Sequence, residues 1–393
     1  MPERSITVLY LECTGDLYGT GTSLLNMAVR LKNMGIVPIV LLPNLGPLTK
    51  KLSQYGIDYY VISNLSIIRR SIINPLIFLK FVCSVIPATL TVFRIIKRFE
   101  VDIVHTNSAV TLNGAMAAKL ARIPHVWHIR ENFMFFPQML WRPFQEFIFR
   151  FSTLIVCNSE ATRAQFGKNK YSQKLRVIYN GMDPNWYDSY VTTRGLFKKQ
   201  LGLSDGTHLV ATIGRISEIK GQEFFVEAIA RLKTKLNISV KFIVVGDVYP
   251  GNEHYRESLI KRIDDLEIGG LVWLHGYVED IRHLLCDLDI LVVPTLIPEG
   301  FGNTVLEAMA ASRPVIATKL GGPTEIIVDG TTGILVDPQD PNELAESILD
   351  LLRNREKRKR MGMAGRQRLI DMFDIKLMIE KILSLYDSLK EMH

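Results

Sequence analysis

Residues 289–318 read DILVVPTLIPEGFGNTVLEAMAASRPVIAT: an apolar run of strand length, a loop rich in small residues, an amphipathic run of helix length and a second apolar run. Strand, loop, helix and strand in that order make a parallel pair joined by a covering helix, because parallel strands need a long crossover. The same rhythm extends upstream. In the first half ITVLYLE, VPIVLL, DYYVIS, DIVHT, HVWHI and LIVCNS alternate with helical stretches such as SLLNMAVRLKNMG and TLNGAMAAKLARI. In the second half HLVATIG, VKFIVVGD and LVWLHG alternate with EFFVEAIARLKTKL and YRESLIKRIDDLE. Strands this uniformly apolar are covered on both faces, so the fold class is α/β with doubly wound parallel sheets.

A chain of 393 residues exceeds what one core usually serves, which argues for two domains. The strand-helix rhythm lapses over MDPNWYDSYVTTRGLFKKQLGLSDG, residues 182–206. The expected division is a Rossmann-like domain at 1–185, a linker region at 186–206 and a second Rossmann-like domain at 207–373. Two such domains facing across a cleft bind ligands beyond the carboxyl ends of their strands, so chemistry is expected just after strands.

Hydrophobic residues make up 47% and charged residues 22%, which excludes a disordered chain. The net charge of +7 points to an anionic partner. Residues 66–150 hold eleven Lys or Arg against four Asp or Glu, a surplus equal to that of the whole chain. They also hold the most apolar runs, SIINPLIFLKFVCSVIPATLTVF and NFMFFPQMLWRPFQEFIFRF. Basic residues among bulky apolar ones suit an anionic membrane surface and set nucleic acid aside as a partner. The first run is long enough to span a bilayer, but Lys80 lies inside it and Pro75 and Pro87 interrupt it. It reads as an interfacial helix or as a core helix with basic ends. The N-terminus lacks a signal-peptide layout, and the four scattered cysteines give neither a disulfide framework nor a zinc site. A cytoplasmic protein, peripheral at the inner face of the cell membrane, is expected.

In EGFGNTVLE, residues 299–307, the helix is expected to start near Asn303 or Thr304. Its unpaired N–H groups and positive dipole end suit a phosphate. Gly300 and Gly302 let backbone approach a ligand closely. Glu307, read in the first helical turn, can accept hydrogen bonds from a vicinal diol such as a ribose, and Glu299 can reach hydroxyls at the ligand's other end. In ATIGRISEIKGQ, Lys220 stands just before a helix, a poor place for a cation unless an anion binds there. Arg215 and Lys220 together suit a diphosphate. LYGTGTSLLNMA, with Gly19 and Gly21, opens another helix after the first strand, but it has neither a complete dinucleotide fingerprint nor a P-loop lysine. His128, read at the end of a strand, can donate to a substrate hydroxyl, with Arg130 and Glu131 pairing across the cleft. Asp287-Leu288-Asp289 spells a metal-holding DxD, yet a helix-to-strand turn accounts for it, and no metal or other cofactor is expected.

These motifs resemble retaining glycosyltransferase family four, the group 1 glycosyltransferases of GT-B fold with a Glu-x7-Glu motif. The resemblance covers nearly the whole chain. It is carried in order by VCNSEAT, VIYNGMD, IGRISEIKG, GDVYPG, HGYVEDI, PEGFGNTVLEAMAASRPVIAT and GGPTEIIVDGTTGILV. It implies that Arg215 and Lys220 hold a donor diphosphate, Glu307 the donor ribose and Glu299 the transferred sugar. Gly302, Asn303 and Thr304 would present backbone donors, Tyr277 and Val278 would border the base, and His128 would contact the sugar. The last helix, within 374–393, would cross back onto the first domain. One departure is Tyr18-Gly19-Thr20-Gly21, where the family often has adjacent glycines; Gly19 is kept as a donor contact. The implied activity is transfer from a UDP- or GDP-linked sugar to an acceptor, expected to be a lipid-linked saccharide of bacterial surface polysaccharide or lipopolysaccharide. The alternatives are a nucleotide-sugar epimerase, which needs no acceptor, and a non-catalytic nucleotide-sugar-binding partner, which shows no turnover.

Overall fold

The computed structural model describes residues 5–68, 74–133 and 136–391. Arg69 and Arg70 of the basic tally, and Met134 and Phe135 of the second apolar run, lie outside the described residues. The chain divides into two compact units, one of residues 1–180 and 376–393, the other of residues 181–375.

The first unit is built on seven parallel strands: β1 (Thr7–Leu11), β2 (Val37–Leu42), β3 (Asp58–Val61), β4 (Ile103–Thr106), β5 (His125–Ile129), β6 (Leu154–Cys157) and β7 (Leu175–Val177), in the spatial order β3-β2-β1-β4-β5-β6-β7. Strand order reverses where β1 lies beside β4, with Leu11 opposite Thr106. Every residue of β1, β4 and β5 is buried, as covered strands require. Leu9, Leu11 and Val104 from the sheet pack with Val92 and Ile96 of the helix Pro75–Arg98. Asn74 caps that helix by accepting the N–H of Leu76 at 3.0 Å, and Pro75 fills the first position, where no donor is needed. Its buried residues, Ala88, Thr89, Val92 and Ile96, all follow Pro87, so only the second half is a core helix. The C-terminal helix, Ile375–Glu391, joins this unit from Lys376 onward.

The second unit repeats the plan with β8 (His208–Ile213), β9 (Val240–Val245), β10 (Val272–Gly276), β11 (Ile290–Val293), β12 (Val315–Thr318) and β13 (Ile334–Val336), ordered β10-β9-β8-β11-β12-β13. All neighbours are parallel, and the reversal falls between β8 and β11. Phe225, Phe242, Val244, Ile290 and Val292 form part of its core with Ile348 and Leu352.

The expected boundary at 185 falls five residues late, and 186–206 is no free linker. Residues Asp188–Thr193 and Leu196–Gln200 form short helices packed within the second unit. Asp287 accepts the N–H groups of Gly195 at 2.5 Å and Lys198 at 3.0 Å, and the Tyr190 hydroxyl donates to Asp280 at 2.9 Å. The rhythm lapses there because these side-chain anchors replace a strand-helix repeat.

Candidate active site

In each sheet, polar side chains gather at the carboxyl ends of the two strands where the order reverses, the usual ligand position of such sheets. In the second unit these are the loops after β8 and β11. The β8 loop ends in a turn of 3-10 helix, Glu218–Lys220, followed by the helix Gln222–Leu232. Between them Gly221 has φ +69°, and a Cβ there would meet the Pro294 carbonyl oxygen at 1.8 Å. The close approach lets Leu296 N–H donate to Ile219 O at 3.0 Å, locking the two loops together. Gln222 Nε2 donates to Arg215 O at 3.0 Å and holds the first part of the β8 loop. Gly221→Ala should therefore cost more than about 1 kcal/mol of stability and impair nucleotide binding. Thermal unfolding checks this, and a variant as stable as wild type would show that the loops are not locked as described.

Across this junction Lys220 Nζ donates to Glu299 Oε1, so the two expected catalytic residues touch. Burial, and then the Arg215 guanidinium, push the Lys220 ammonium down to about 8. The Glu299 carboxylate against it works in the opposite direction. Lys220, Glu299 and Thr304 line one small cavity with Thr212 and Thr295. Arg215 lies over the Tyr249 ring at 5.1 Å, a cation-π contact that fixes its guanidinium.

Glu299 itself is set by main chain. Gly322 N–H donates to Glu299 O at 3.0 Å, and Gly321, with φ +63°, approaches so closely that a Cβ would lie 2.4 Å from the same oxygen. Gly302, with φ +104°, turns the chain into the helix Asn303–Ala310, so Asn303 and Thr304 are its first two residues. That start moves Glu307 out of the first turn, which holds no acidic residue. The Glu307 main-chain carbonyl accepts Ala311 N–H at 3.2 Å, but its carboxylate makes no hydrogen bond among the described residues, and burial pushes that carboxyl up to about 7. A group so placed gains partners when a diol binds. Tyr277 is exposed and Val278 half-buried in the loop after β10. That loop is stitched to its neighbours: Gly246 N–H donates to Gly276 O at 2.7 Å, and a Cβ on Gly246 would lie 2.0 Å from Gly214 O.

Asp287 and Asp289 are each engaged by groups of their own unit. Asp287 caps Leu196–Gln200 as described, while Asp289 accepts Leu209 N–H at 3.0 Å and lies 3.3 Å from His208.

In the first unit the reversal between β1 and β4 gathers a buried network. Glu12, just after β1, accepts from Asn107 Nδ2 at 2.5 Å and from the Thr20 hydroxyl at 3.0 Å. Burial pushes its carboxyl up. Arg130 donates to Asn107 Oδ1 from Nε at 3.0 Å and Nη2 at 2.8 Å, and to Asn180 Oδ1 at 2.7 Å. Glu131 accepts the Ala109 N–H at 3.0 Å and the Ser108 hydroxyl. Arg130 and Glu131 are thus committed within their own unit, contrary to the expected pairing across a cleft, because burial demands partners close by.

His128 lies within β5, not after it, and is fully buried. Its Nδ1 is 3.2 Å from His105 Nε2 and 3.4 Å from Arg130 Nη2. A guanidinium only donates, so Nδ1 accepts and the imidazole proton resides on Nε2. That Nε2 is buried with no partner among the described residues. Burial, then the Arg130 charge, keep the ring neutral by holding it well below the usual histidine range. His105 correspondingly donates from Nε2, and its Nδ1 faces the Tyr386 hydroxyl at 2.6 Å. The C-terminal helix so reaches the network through Tyr386. Gly19 starts the helix Gly19–Asn33, where a Cβ would meet nothing, whereas a Cβ on Gly21 would lie 2.1 Å from Asp16 O. Gly21 is therefore the required glycine of that loop.

Residues 18–186 match the family described as Glycosyltransferase Family 4, and residues 193–368 match that described as Glycosyl transferases group 1. The chain belongs to the family four, group 1 glycosyltransferases. An uncharacterized glycosyltransferase of Methanocaldococcus jannaschii is 28% identical over 70% of this chain and 72% of its own. The UDP-Gal:alpha-D-GlcNAc-diphosphoundecaprenol alpha-1,3-galactosyltransferase of Escherichia coli is 24% identical over 76% of this chain and 78% of its own. Among solved structures, Anabaena HepE in complex with UDP and glucose superimposes with a TM-score of 0.82 at 26% identity, covering 98% of this chain and all of that one. The two doubly wound units are thus those of a GT-B glycosyltransferase, as the motif order implied.

Proposed function

We propose that this family four glycosyltransferase moves a sugar from a UDP- or GDP-linked donor to a hydroxyl of a lipid-linked saccharide, with retention of configuration and without a metal ion. The observation that carries the reading is the β8–β11 junction. Lys220, Glu299 and Thr304 line one cavity there beside a helix start, and the half-buried Glu307 carboxylate makes no hydrogen bond among the described residues. UDP and glucose in the HepE complex, and the UDP-linked donor and diphosphoundecaprenol-linked acceptor named for the E. coli relative, support the substrate classes.

In this reading Glu307 accepts the ribose hydroxyls and Glu299 those of the sugar, while Arg215, Lys220 and the N–H groups at Asn303 and Thr304 face the diphosphate. Tyr277 and Val278 border the base. Departure of the diphosphate leaves an oxocarbenium-like centre, so fixed positive charge at the leaving group lowers the barrier. Glu299, held by Lys220, is a hydroxyl ligand and no nucleophile. The acceptor attacks from the face the diphosphate leaves, and the diphosphate takes its proton. In the first unit His128 Nε2–H, a neutral donor aimed by His105 and Arg130, meets a substrate hydroxyl. Gly19 contributes a main-chain contact. The enzyme works in the cytoplasm at the inner face of the membrane.

The test is thermal shift in EDTA with UDP, GDP, ADP and their common sugar conjugates. One nucleotide family should stabilise the wild type and stabilise Glu307→Gln less. No shift with any of them in folded protein overturns the donor site. The titrations add a pH signature. A diol binds the ionised Glu307, so affinity for a UDP-sugar, whose diphosphate diester does not titrate in this range, should tighten as pH rises through about 7. It should weaken as Lys220 loses its proton above about 8. Calorimetric titration checks both limbs; Glu307→Gln should lose the acidic one, and an unchanged acidic limb in that variant would refute the assignment.

A further inference from the structure

The first turns of the helix Pro75–Arg98, from Pro75 to Lys80, have no role in the site and are exposed throughout; the helix meets the fold first further along, where Ser84 Oγ lies 2.9 Å from Ser66 Oγ and the Val85 carbonyl accepts from Asn113 Nδ2 at 3.2 Å. From Leu76 to Leu79 four consecutive large apolar side chains are exposed, Leu76 by 72%, and Val82 and Ile86 follow. Consecutive residues step about 100° around a helix, so this tip is apolar on all sides. A protein partner covers one stripe of a helix, whereas a bilayer surrounds it.

Three further observations select an anionic bilayer. Residues 59–99 contain no Asp or Glu, so no carboxylate of that stretch opposes Lys80, which is exposed within the apolar tip. The helix Gln138–Phe151 begins with Met139 exposed by 85% and Leu140 also exposed, followed by exposed Arg142. Both helices follow strands of one parallel sheet, β3 and β5, so their N-terminal ends lie at its carboxyl edge, the edge that carries Glu12 and His128. The helix is not a span. Ala88, Thr89, Val92 and Ile96 are packed in the fold, and Pro75 to Pro87 reaches only about 20 Å against a hydrocarbon core of about 30 Å.

We infer that the tip of the helix Pro75–Arg98, from Leu76 to Ile86, together with Met139 and Leu140, inserts into the interfacial layer of an anionic membrane. Lys80 and Arg142 then lie at the level of the lipid phosphates, and the ligand end of the first unit is held against the surface where a lipid-linked acceptor resides. This deepens the proposed function by naming the membrane surface, but stands on different residues from the donor site.

The experiment is cosedimentation of the full chain with phosphatidylcholine vesicles with and without 30% phosphatidylglycerol, at low and high salt. The wild type should bind the anionic vesicles at least tenfold more tightly, and less so in high salt. The triple variant Leu76→Ser, Phe78→Ser, Leu79→Ser should lose tenfold or more, and Lys80→Gln with Arg142→Gln should lose the preference for anionic lipid. All substituted positions are exposed, so unfolding temperature and UDP-sugar affinity should be those of the wild type; this separates failure of docking from failure of the donor reading. A Phe78→Trp variant should shift its emission to the blue on anionic vesicles and be quenched by brominated lipid. Absence of vesicle binding at low salt overturns the inference. So does a dimer in sedimentation equilibrium that the triple variant abolishes, which would make a second copy the occupant. Retention in the membrane after carbonate extraction would also overturn it, because that marks a span.

Discussion

Lys220→Ala should lower kcat by about 10²–10³-fold while changing KM for the donor far less. The leaving diphosphate gains charge as the glycosidic bond breaks, so a fixed ammonium beside it interacts most strongly in the transition state. The loss is large because Lys220 is held in place: the Gly221 turn, the Leu296–Ile219 hydrogen bond and Glu299 all fix it before substrate arrives. Alanine leaves Glu299 without its cation, which tests the pair as well as the charge. Lys220→Met, close in volume, serves as the packing control. Initial-rate kinetics decide the matter, and a kcat within threefold of wild type would remove Lys220 from the chemistry.

Arg130→Met should be the most destabilising single change at the sites described, by about 3–5 kcal/mol. Methionine fills the space but removes both donors to the Asn107 carbonyl oxygen and the guanidinium donor to Asn180, and takes a cation from the neighbourhood of buried Glu12. For a unit of this size that corresponds to a fall of roughly 6–20 °C in Tm. Arg130 also donates to His128 Nδ1, so the imidazole proton is no longer confined to Nε2 in the variant. Calorimetry with the folded fraction monitored by near-ultraviolet dichroism measures the effect. A fall in Tm of less than about 3 °C would mean that water replaces the guanidinium and that the network is not a stability element.

Alternating apolar runs disclosed the two sheets because covered parallel strands leave an uninterrupted hydrophobic signature, and β1 and β11 are buried throughout. The strands that escaped notice, β7 and β13, are short sheet-edge strands of three residues, and β7 carries Arg176. The second-unit site was readable since Arg215, Lys220 and Glu299 fall in loops directly after strands. What brings Lys220 against Glu299 was not readable. It depends on glycines 221, 321 and 322, whose role is set by distant carbonyl oxygens.

Glu12, Asn107, Asn180, His105 and Tyr386 were missed for a related reason. Each is an ordinary polar residue in sequence, and only the strand order places β1 beside β4 and β4 beside β5. The one available signal was position: LECTG, HTNS and YNG carry polar residues just where apolar strands or runs end. Glu307 was recognised and the helix start at Asn303 was expected, but counted from that start Glu307 is the fifth residue and falls past the first turn of about 3.6 residues.

The clasp around Glu299 has a bearing on how such a site diversifies. The contacts that shape its loop run from main chain to main chain, from Gly322 N–H to Glu299 O and through the parallel bridge of Glu299 with Gly321. Phe301, buried with its ring 5.9 Å from that of Phe373, adds a side-chain anchor to this main-chain frame. A lineage can exchange residues such as Thr304 and test new sugars one substitution at a time, each variant inheriting an intact scaffold, whereas drift at glycines 321 and 322 is closed to it. Substitution is open at the start of the helix after β11 and closed at the turn after β12 that meets the loop at Glu299.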